Sequence, residues 1–277
     1  MQDIVNICNS NKPVLIGRLS GNETRLCGLI MNNEKVENML LHRMTINAGI
    51  YFENKESILK YTTLYYDSIC NCDLLAIWDG SMKSQCQSFY NLMERDDKLK
   101  NIKKIHNRVL EPYYSMDNDT YNYNEICENK KILIISSHID TMKLQEKNLD
   151  KLFQKSIFGN YKSIDYIKPP LTICNLHNNK DWTYYFHNFC NELHNKDFDI
   201  AFVSCGGYGM ITSNYIKKEL NKSVIYIGGA LQLFFGIKGT RWNNHNIIKT
   251  FYNKYWTNVL DHEIPKECKL VENGCYW

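Results

Sequence analysis

Three groups of residues in this chain have the types and spacing for chemistry. The first is Gly17-Arg18-Leu19-Ser20-Gly21-Asn22-Glu23, which sets a cation and a carboxylate around one glycine-containing turn. An arginine there can hold a phosphate through paired N–H donors. The carboxylate can take a hydroxyl proton, orient a sugar hydroxyl or ligate a metal. An ordinary helix-start acid beside a surface arginine accounts for the same pattern. The second group is a pair of glycine turns, Gly206-Gly207-Tyr208-Gly209 and Gly228-Gly229, followed by Gln232, Lys238, Arg241 and Trp242. Glycines after a strand let the backbone approach a ligand, and a following helix presents free N–H groups, a combination suited to a diphosphate. Either turn alone could equally be a tight turn and nothing more. The third group is His138 with Asp140. His138 can donate to a phosphate or a sugar hydroxyl or serve as a structural histidine, and Asp140 is a helix N-cap candidate. Asp79-Gly80 has ordinary turn chemistry.

All of these groups follow short apolar runs. Strands are expected at 13–16, 73–78 (DLLAIW), 104–106, 131–136 (KILIIS), 162–167, 200–204 and 223–227, because each run is short, rich in branched residues and bounded by turn formers. Helical spacing covers 23–31, 34–44, 55–69, 83–93, 141–153, 178–195, 210–220 and 246–256, with loop at 117–124 and an irregular tail at 265–277. Strands alternating with helices predict an α/β fold, a mainly parallel Rossmann-like sheet flanked by helices. The chain reads as one domain over 1–277 with a soft boundary within 94–129. Polar groups at strand carboxyl ends are where open α/β sheets keep their ligands.

Composition narrows the function classes. A formal charge of +3 with scattered Lys and Arg gives no reason to invoke nucleic acid. The 13% aromatic content, with 19 Tyr and 5 Trp, exceeds what a core needs and suits stacking on a sugar or base. The 11 cysteines are dispersed and lack metal-site spacing, so they read as small apolar thiols in a reducing, cytoplasmic setting. No apolar run is long enough for a membrane span, and the first residues do not form a signal peptide. Gly-x-Ser-x-Gly, the phosphate-loop motif and the dinucleotide fingerprint are all absent, which removes support for the corresponding hydrolase, NTPase and NAD readings.

The segment Ile16-GRLSGNE-Thr24 resembles the (V/I)-x-R-(F/Y)-G-D-G-E motif of the GT-D glycosyltransferases, and FVSCGGYGMITSNYIKKELNKSVIYIGG is similar to the second half of that fold. GGYG, GGxLQxxFGIxGxRW and a final ExxxYW are similar to segments of proteins assigned to glycan synthesis in large DNA viruses and some bacteria. The resemblance covers both ends of the chain and not its middle. It implies transfer of a sugar from a nucleoside diphosphate sugar to a glycan or other hydroxyl acceptor. No covalent cofactor is implied, and the location would be a cytoplasm, the host's if the chain is viral. By position, Arg18 takes the family's arginine and Glu23 the second acid of its Asp-x-Glu motif. Gly21 stands where the first acid belongs, which leaves use of a divalent Mn or Mg open. The residues and the resemblance together give the expected roles: Glu23, Arg18 and His138 in catalysis, with Gly17, Asn22, both glycine turns, Gln232, Lys238, Arg241 and Trp242 holding the donor. A methyltransferase-like enzyme and a non-catalytic carbohydrate-binding module are the alternatives.

Overall fold

The structure is a computed structural model that describes residues 2–10, 12–114 and 123–277. The loop expected at 117–124 therefore lies outside the described residues but for its last two positions. Up to the expected boundary the chain runs α1 (Gln2–Cys8), β1 (Leu15–Arg18), α2 (Gly21–Met31), α3 (Asn38–Ile46), α4 (Lys55–Cys70) and β2 (Leu74–Ile77). Next come α5 (Gly80–Gln85), α6 (Gln87–Arg95), α7 (Asp97–Lys100), β3 (Lys104–His106) and α8 (Tyr123–Cys127). The second half contributes β4 (Lys131–Ser136), α9 (Ile139–Gln145), α10 (Leu149–Leu152), β5 (Ser163–Ile167) and α11 (Trp182–His194). It ends with β6 (Ile200–Ser204), α12 (Gly209–Lys218), β7 (Ser223–Tyr226) and α13 (Leu231–Phe234).

The seven strands form one parallel sheet in the order β3-β2-β1-β7-β6-β4-β5. Its inner strands are largely apolar because both faces are covered, whereas the edge strands β3 and β5 carry Lys104, His106, Ser163 and Asp165. In β4, Ile132 and Ile134 enter one core, and Leu133 and Ile135 enter the other. In β6, Ile200 and Phe202 alternate with Ala201 and Val203 in the same way. Strands from both sides of the 94–129 boundary join this sheet, with β1 between β2 and β7. No helix among the described residues is long and apolar enough to cross a membrane.

The connections open a crevice. α2 after β1 and α12 after β6 pack on one face, through residues such as Leu26 and Ile211. α9 after β4 and α13 after β7 pack on the other, through Met142 and Leu233. β7 thus lies between two strands whose outgoing chains leave toward the opposite face. Such a divergence leaves a gap at the carboxyl edge of the sheet.

Three expected helices are altered. The segment 246–256 forms only a 3-10 turn, Ile248–Phe251. The Nδ1 of His245 accepts from the N–H of Ile247 and Ile248, and the side chain of Asn253 accepts from Tyr255 N–H at 2.9 Å, so side chains compete with the helical pattern. The helix expected at 83–93 divides at Cys86 into α5 and α6. The one expected at 141–153 stops at Gln145, whose amide reaches across to the carbonyls of Phe235 and Tyr255, and α10 follows as a separate turn. Asp140 sits inside the first turn of α9 and not at its N-cap. Glu263 caps that helix from a distance, its carboxylate accepting from Asp140 N–H at 2.9 Å and Thr141 N–H at 3.0 Å.

Candidate functional site

The loops at the carboxyl edge enclose a cleft of about 990 Å³. Its floor is built by Arg18 to Glu23 after β1, Ser204 to Gly206 after β6 and Gly228 to Ala230 after β7. Residues of α3 and the run 270–277 form its upper wall. The two stretches singled out at opposite ends of the sequence therefore meet side by side, as β1 pairs directly with β7.

Glu23 lies in the first turn of α2 and is buried, 6% exposed, on this floor. Burial pushes its carboxyl above the usual carboxylate range, opposed by hydrogen bonds from its own backbone and from Ser20, while Glu272 adds like charge. A carboxylate raised in this way is a stronger base than one in water. Asn22 lines the cleft beside it. Gly21 lines it too, and a Cβ there would meet Met82 at 3.0 Å, so the place of the first acid in the resembling motif is given to close packing against α5.

Arg18 lines the cleft but is already engaged. Its Nη2 donates to Glu111 Oε1 at 2.8 Å, its Nη1 donates to the carbonyl of Ile227, and the guanidinium lies 5.2 Å from the Trp78 ring centre. Tyr113 donates its hydroxyl to the other oxygen of Glu111 at 2.7 Å. The arginine therefore ties β1 to the end of β7 and has its charge offset. That reduces the phosphate-holding part expected of it to whatever N–H groups remain.

The glycine turns divide by duty. Gly206 and Gly228 line the cleft with φ of +51° and +74°, left-handed values at which a side chain is strained. Gly207, Tyr208 and Gly209, expected to hold the donor, do not line it. Gly207 donates its N–H to Ala48 at 2.8 Å, and its carbonyl accepts from Tyr61 at 2.7 Å. Tyr208 is buried against Thr172. A Cβ on Gly209 would fall 2.3 Å from the Tyr226 ring. Gly17 is likewise a packing residue, since a Cβ there would strike Cys72 Sγ at 2.4 Å. Gly229 lines the cleft, covered on one side by Tyr276.

Farther along, Gln232 lines the cleft, yet its amide is spent on the carbonyls of Lys238 and Tyr276, each at 3.1 Å, which pin the last residues to α13. Lys238, expected to offset charge on the diphosphate, is outside the cleft, its ammonium 5.3 Å from the Tyr252 ring centre. Arg241 lines the cleft, paired with Glu272 and stacked 4.6 Å from the Tyr276 ring centre. Trp242 is buried, with part of its ring at the wall. His138 reaches the cleft from the loop after β4, and burial, with Lys168 adding like charge, holds its pKa down at about 4. A neutral imidazole of that kind is not a charged phosphate ligand at pH 7.

Sequence reasoning missed Glu111, Trp78, Arg43, Arg108 and Tyr114, all in the cleft wall. Arg43 and Arg108 are exposed, and neither enters an ion pair among the described residues, although Arg108 stacks 5.0 Å from the Tyr114 ring centre. Arg43 lies in α3, where Leu40 and Met44 are buried and His42 and Arg43 are left exposed. Glu111 follows no motif. All 11 cysteines are free thiols. Among the described residues no three His, Cys, Asp or Glu side chains converge as a metal-ligand set. Comparison with protein-family models, with curated proteins and with solved structures finds no match.

Proposed function

We propose that the protein is a glycosyltransferase that moves a sugar from a nucleoside diphosphate sugar to a hydroxyl acceptor. The observation that carries this reading is Glu23, a buried, burial-strengthened base on the floor of a cleft at the carboxyl edge of a parallel sheet. As the acceptor oxygen bonds to the anomeric carbon, its proton passes to Glu23. The bond from that carbon to the diphosphate breaks, and the diphosphate leaves with the electron pair. Arg43 and Arg108, the cleft arginines outside any described ion pair, offset the charge that grows on it. Trp78 and Tyr114 supply flat surfaces for a base or sugar ring. A cleft of about 990 Å³ lies at the upper end of the range for small-molecule sites and has room for a donor and part of an acceptor.

Thermal unfolding and tryptophan fluorescence, followed while nucleoside diphosphate sugars are titrated, test the reading, because Trp78, Trp242 and Trp277 all line the cleft. A raised midpoint and a saturable fluorescence change with one donor are expected. If no UDP-, GDP- or dTDP-sugar does either, or S-adenosylmethionine alone does, the assignment falls.

A further inference from the structure

Two buried ring nitrogens in the cleft wall have no hydrogen-bond partner among the described residues: Nε2 of His138 and Nε1 of Trp277. The rings meet edge to face, with centres 6.2 Å apart and planes at 82°. His138 is only 4% exposed, while Trp277 is half-buried and rests against the Tyr276 ring. The other unpartnered buried side-chain atoms, on Asn107 and Thr212, are outside the cleft lining. A buried polar atom without a partner costs stability, so two of them on neighbouring rings in a ligand cleft mark a place that a ligand can complete.

The chemistry of the pair is specific. An indole N–H can only donate. The imidazole is neutral at pH 7, because burial holds its pKa at about 4, and the tautomer with its proton on Nδ1, the one this proposal requires, offers Nε2 as an acceptor. A hydroxyl can donate to one nitrogen and accept from the other. A phosphate or carboxylate oxygen can only accept, and it would set its charge against the imidazole lone pair. The surroundings are mixed, because the loop after β5 brings Pro169, Pro170 and Leu171 to the cleft while Lys168 at its start adds like charge to the imidazole.

We propose that His138 and Trp277 form a subsite for an uncharged hydroxyl, with the half-buried indole turning aside to admit it. The hydroxyl donates to His138 Nε2 and accepts from Trp277 Nε1–H. Identifying it as a hydroxyl of the transferred or accepting sugar rests on the glycosyltransferase reading. On this assignment His138 is a binding residue, and the proton chemistry stays with Glu23.

The chain has five tryptophans, so its indole N–H groups give five resolvable proton–nitrogen signals, and Trp277→Phe identifies one of them. The unaltered protein is titrated with D-glucose, D-galactose, N-acetylglucosamine, UDP-glucose and GDP-mannose, and separately with UDP and pyrophosphate. A saturable displacement of the Trp277 signal by a sugar or sugar nucleotide, with UDP and pyrophosphate leaving it in place, is the expected result. If UDP or pyrophosphate moves it as far, the site is an anion site and the proposal is wrong. If a sugar nucleotide shifts the Trp78 or Trp242 signal and leaves Trp277 untouched, the subsite is refuted and the transfer reading stands. If neutral sugars move Trp277 while no nucleotide or sugar nucleotide binds, the subsite stands and the transfer reading falls. No response to any probe overturns both.

Discussion

Replacing Arg18 by Met separates a structural arginine from a substrate-binding one. The side chains of Arg18 and Glu111 are 12% and 8% exposed and meet at 2.8 Å. Removing the cation leaves a buried carboxylate whose remaining donor among the described residues is the Tyr113 hydroxyl. Breaking a buried pair in this way costs about 3–5 kcal/mol, a large share of the roughly 5–15 kcal/mol that holds a typical domain. At about 2–4 °C per kcal/mol for chains of some 200 residues, the midpoint should fall by roughly 6–20 °C. Glu111→Gln added to the same chain removes the stranded charge and keeps an oxygen to accept from Tyr113. What the double variant still lacks is the bond to Ile227, about 1 kcal/mol, and the contact with Trp78, about 0.5–1 kcal/mol. The double variant should therefore be more stable than Arg18→Met alone, and the urea-unfolding double-mutant cycle should give a coupling above about 2 kcal/mol. The same double variant should keep its donor affinity within about threefold, since the diphosphate is assigned to Arg43 and Arg108. A cost below about 1 kcal/mol for Arg18→Met, or simple additivity of the two changes, would refute the structural part. Loss of donor binding in the stable double variant would return Arg18 to the substrate.

Glu23→Gln should lower the transfer rate by about 10²–10⁴ with donor affinity retained, as measured by product formation and thermal shift. Its effect on stability has the opposite sign. The folded carboxyl is raised by burial, so its contribution is complete below the unfolded value of 4.5 and is lost as pH rises through the folded one. The variant should therefore melt above the parent at pH 8, and the advantage should vanish near pH 4. His138 runs the other way: its pKa falls from 6.5 to about 4, so its contribution is present above pH 6.5 and drains away as pH falls through about 4. His138→Asn should remove about 3 kcal/mol of acid lability from unfolding curves taken at pH 7 and pH 4, and an unchanged acid limb would contradict the buried neutral ring. Gly209→Ala drives a Cβ to within 2.3 Å of the Tyr226 ring, which is anchored by its hydroxyl on Gly206 O at 3.0 Å. A loss of about 1–3 kcal/mol in urea unfolding is expected, and a neutral result would show that the ring can move.

The sheet was legible chiefly because its inner strands are buried on both faces. A run such as KILIIS has no polar alternation to confuse, and its ends are marked by Lys131 and the turn at Ser137. What failed was the segment after Trp242. There the periodicity was helical, but His245 and Asn253 spend their side chains on nearby backbone groups, a competition that spacing alone does not display. The site was half legible for a related reason. Arg18, Glu23 and the glycine turns end apolar runs, so strand placement located them. Glu111 and Trp277 reach the cleft from irregular chain, and nothing local to either residue says that it will face Arg18 or His138. Glycine spacing also could not tell Gly206, which needs its left-handed backbone, from Gly209, which needs empty space beside Tyr226.

The divergence of chains around β7 explains why one cleft holds two opposite electrostatic environments. On the β1 side it receives the start of α2 and with it a buried carboxyl that resists losing its proton. On the β4 side it receives the loop before α9 and an imidazole that resists gaining one. Both shifts have burial as their first cause, and both groups are least charged when the cleft is driest. A ligand that excludes water from both ends should therefore raise Glu23 further while keeping His138 neutral. The fraction of Glu23 that keeps its negative charge is then the stronger base toward the reacting hydroxyl, and no positive charge is placed where an uncharged hydroxyl is to be read. The cations left to meet a diphosphate, Arg43 and Arg108, are exposed at the wall instead, where keeping their charge costs little desolvation. If that division is correct, raising salt should weaken binding of a nucleoside diphosphate far more than it weakens whatever engages His138 and Trp277, because screening acts on exposed charges and has no purchase on a neutral hydrogen-bonded pair.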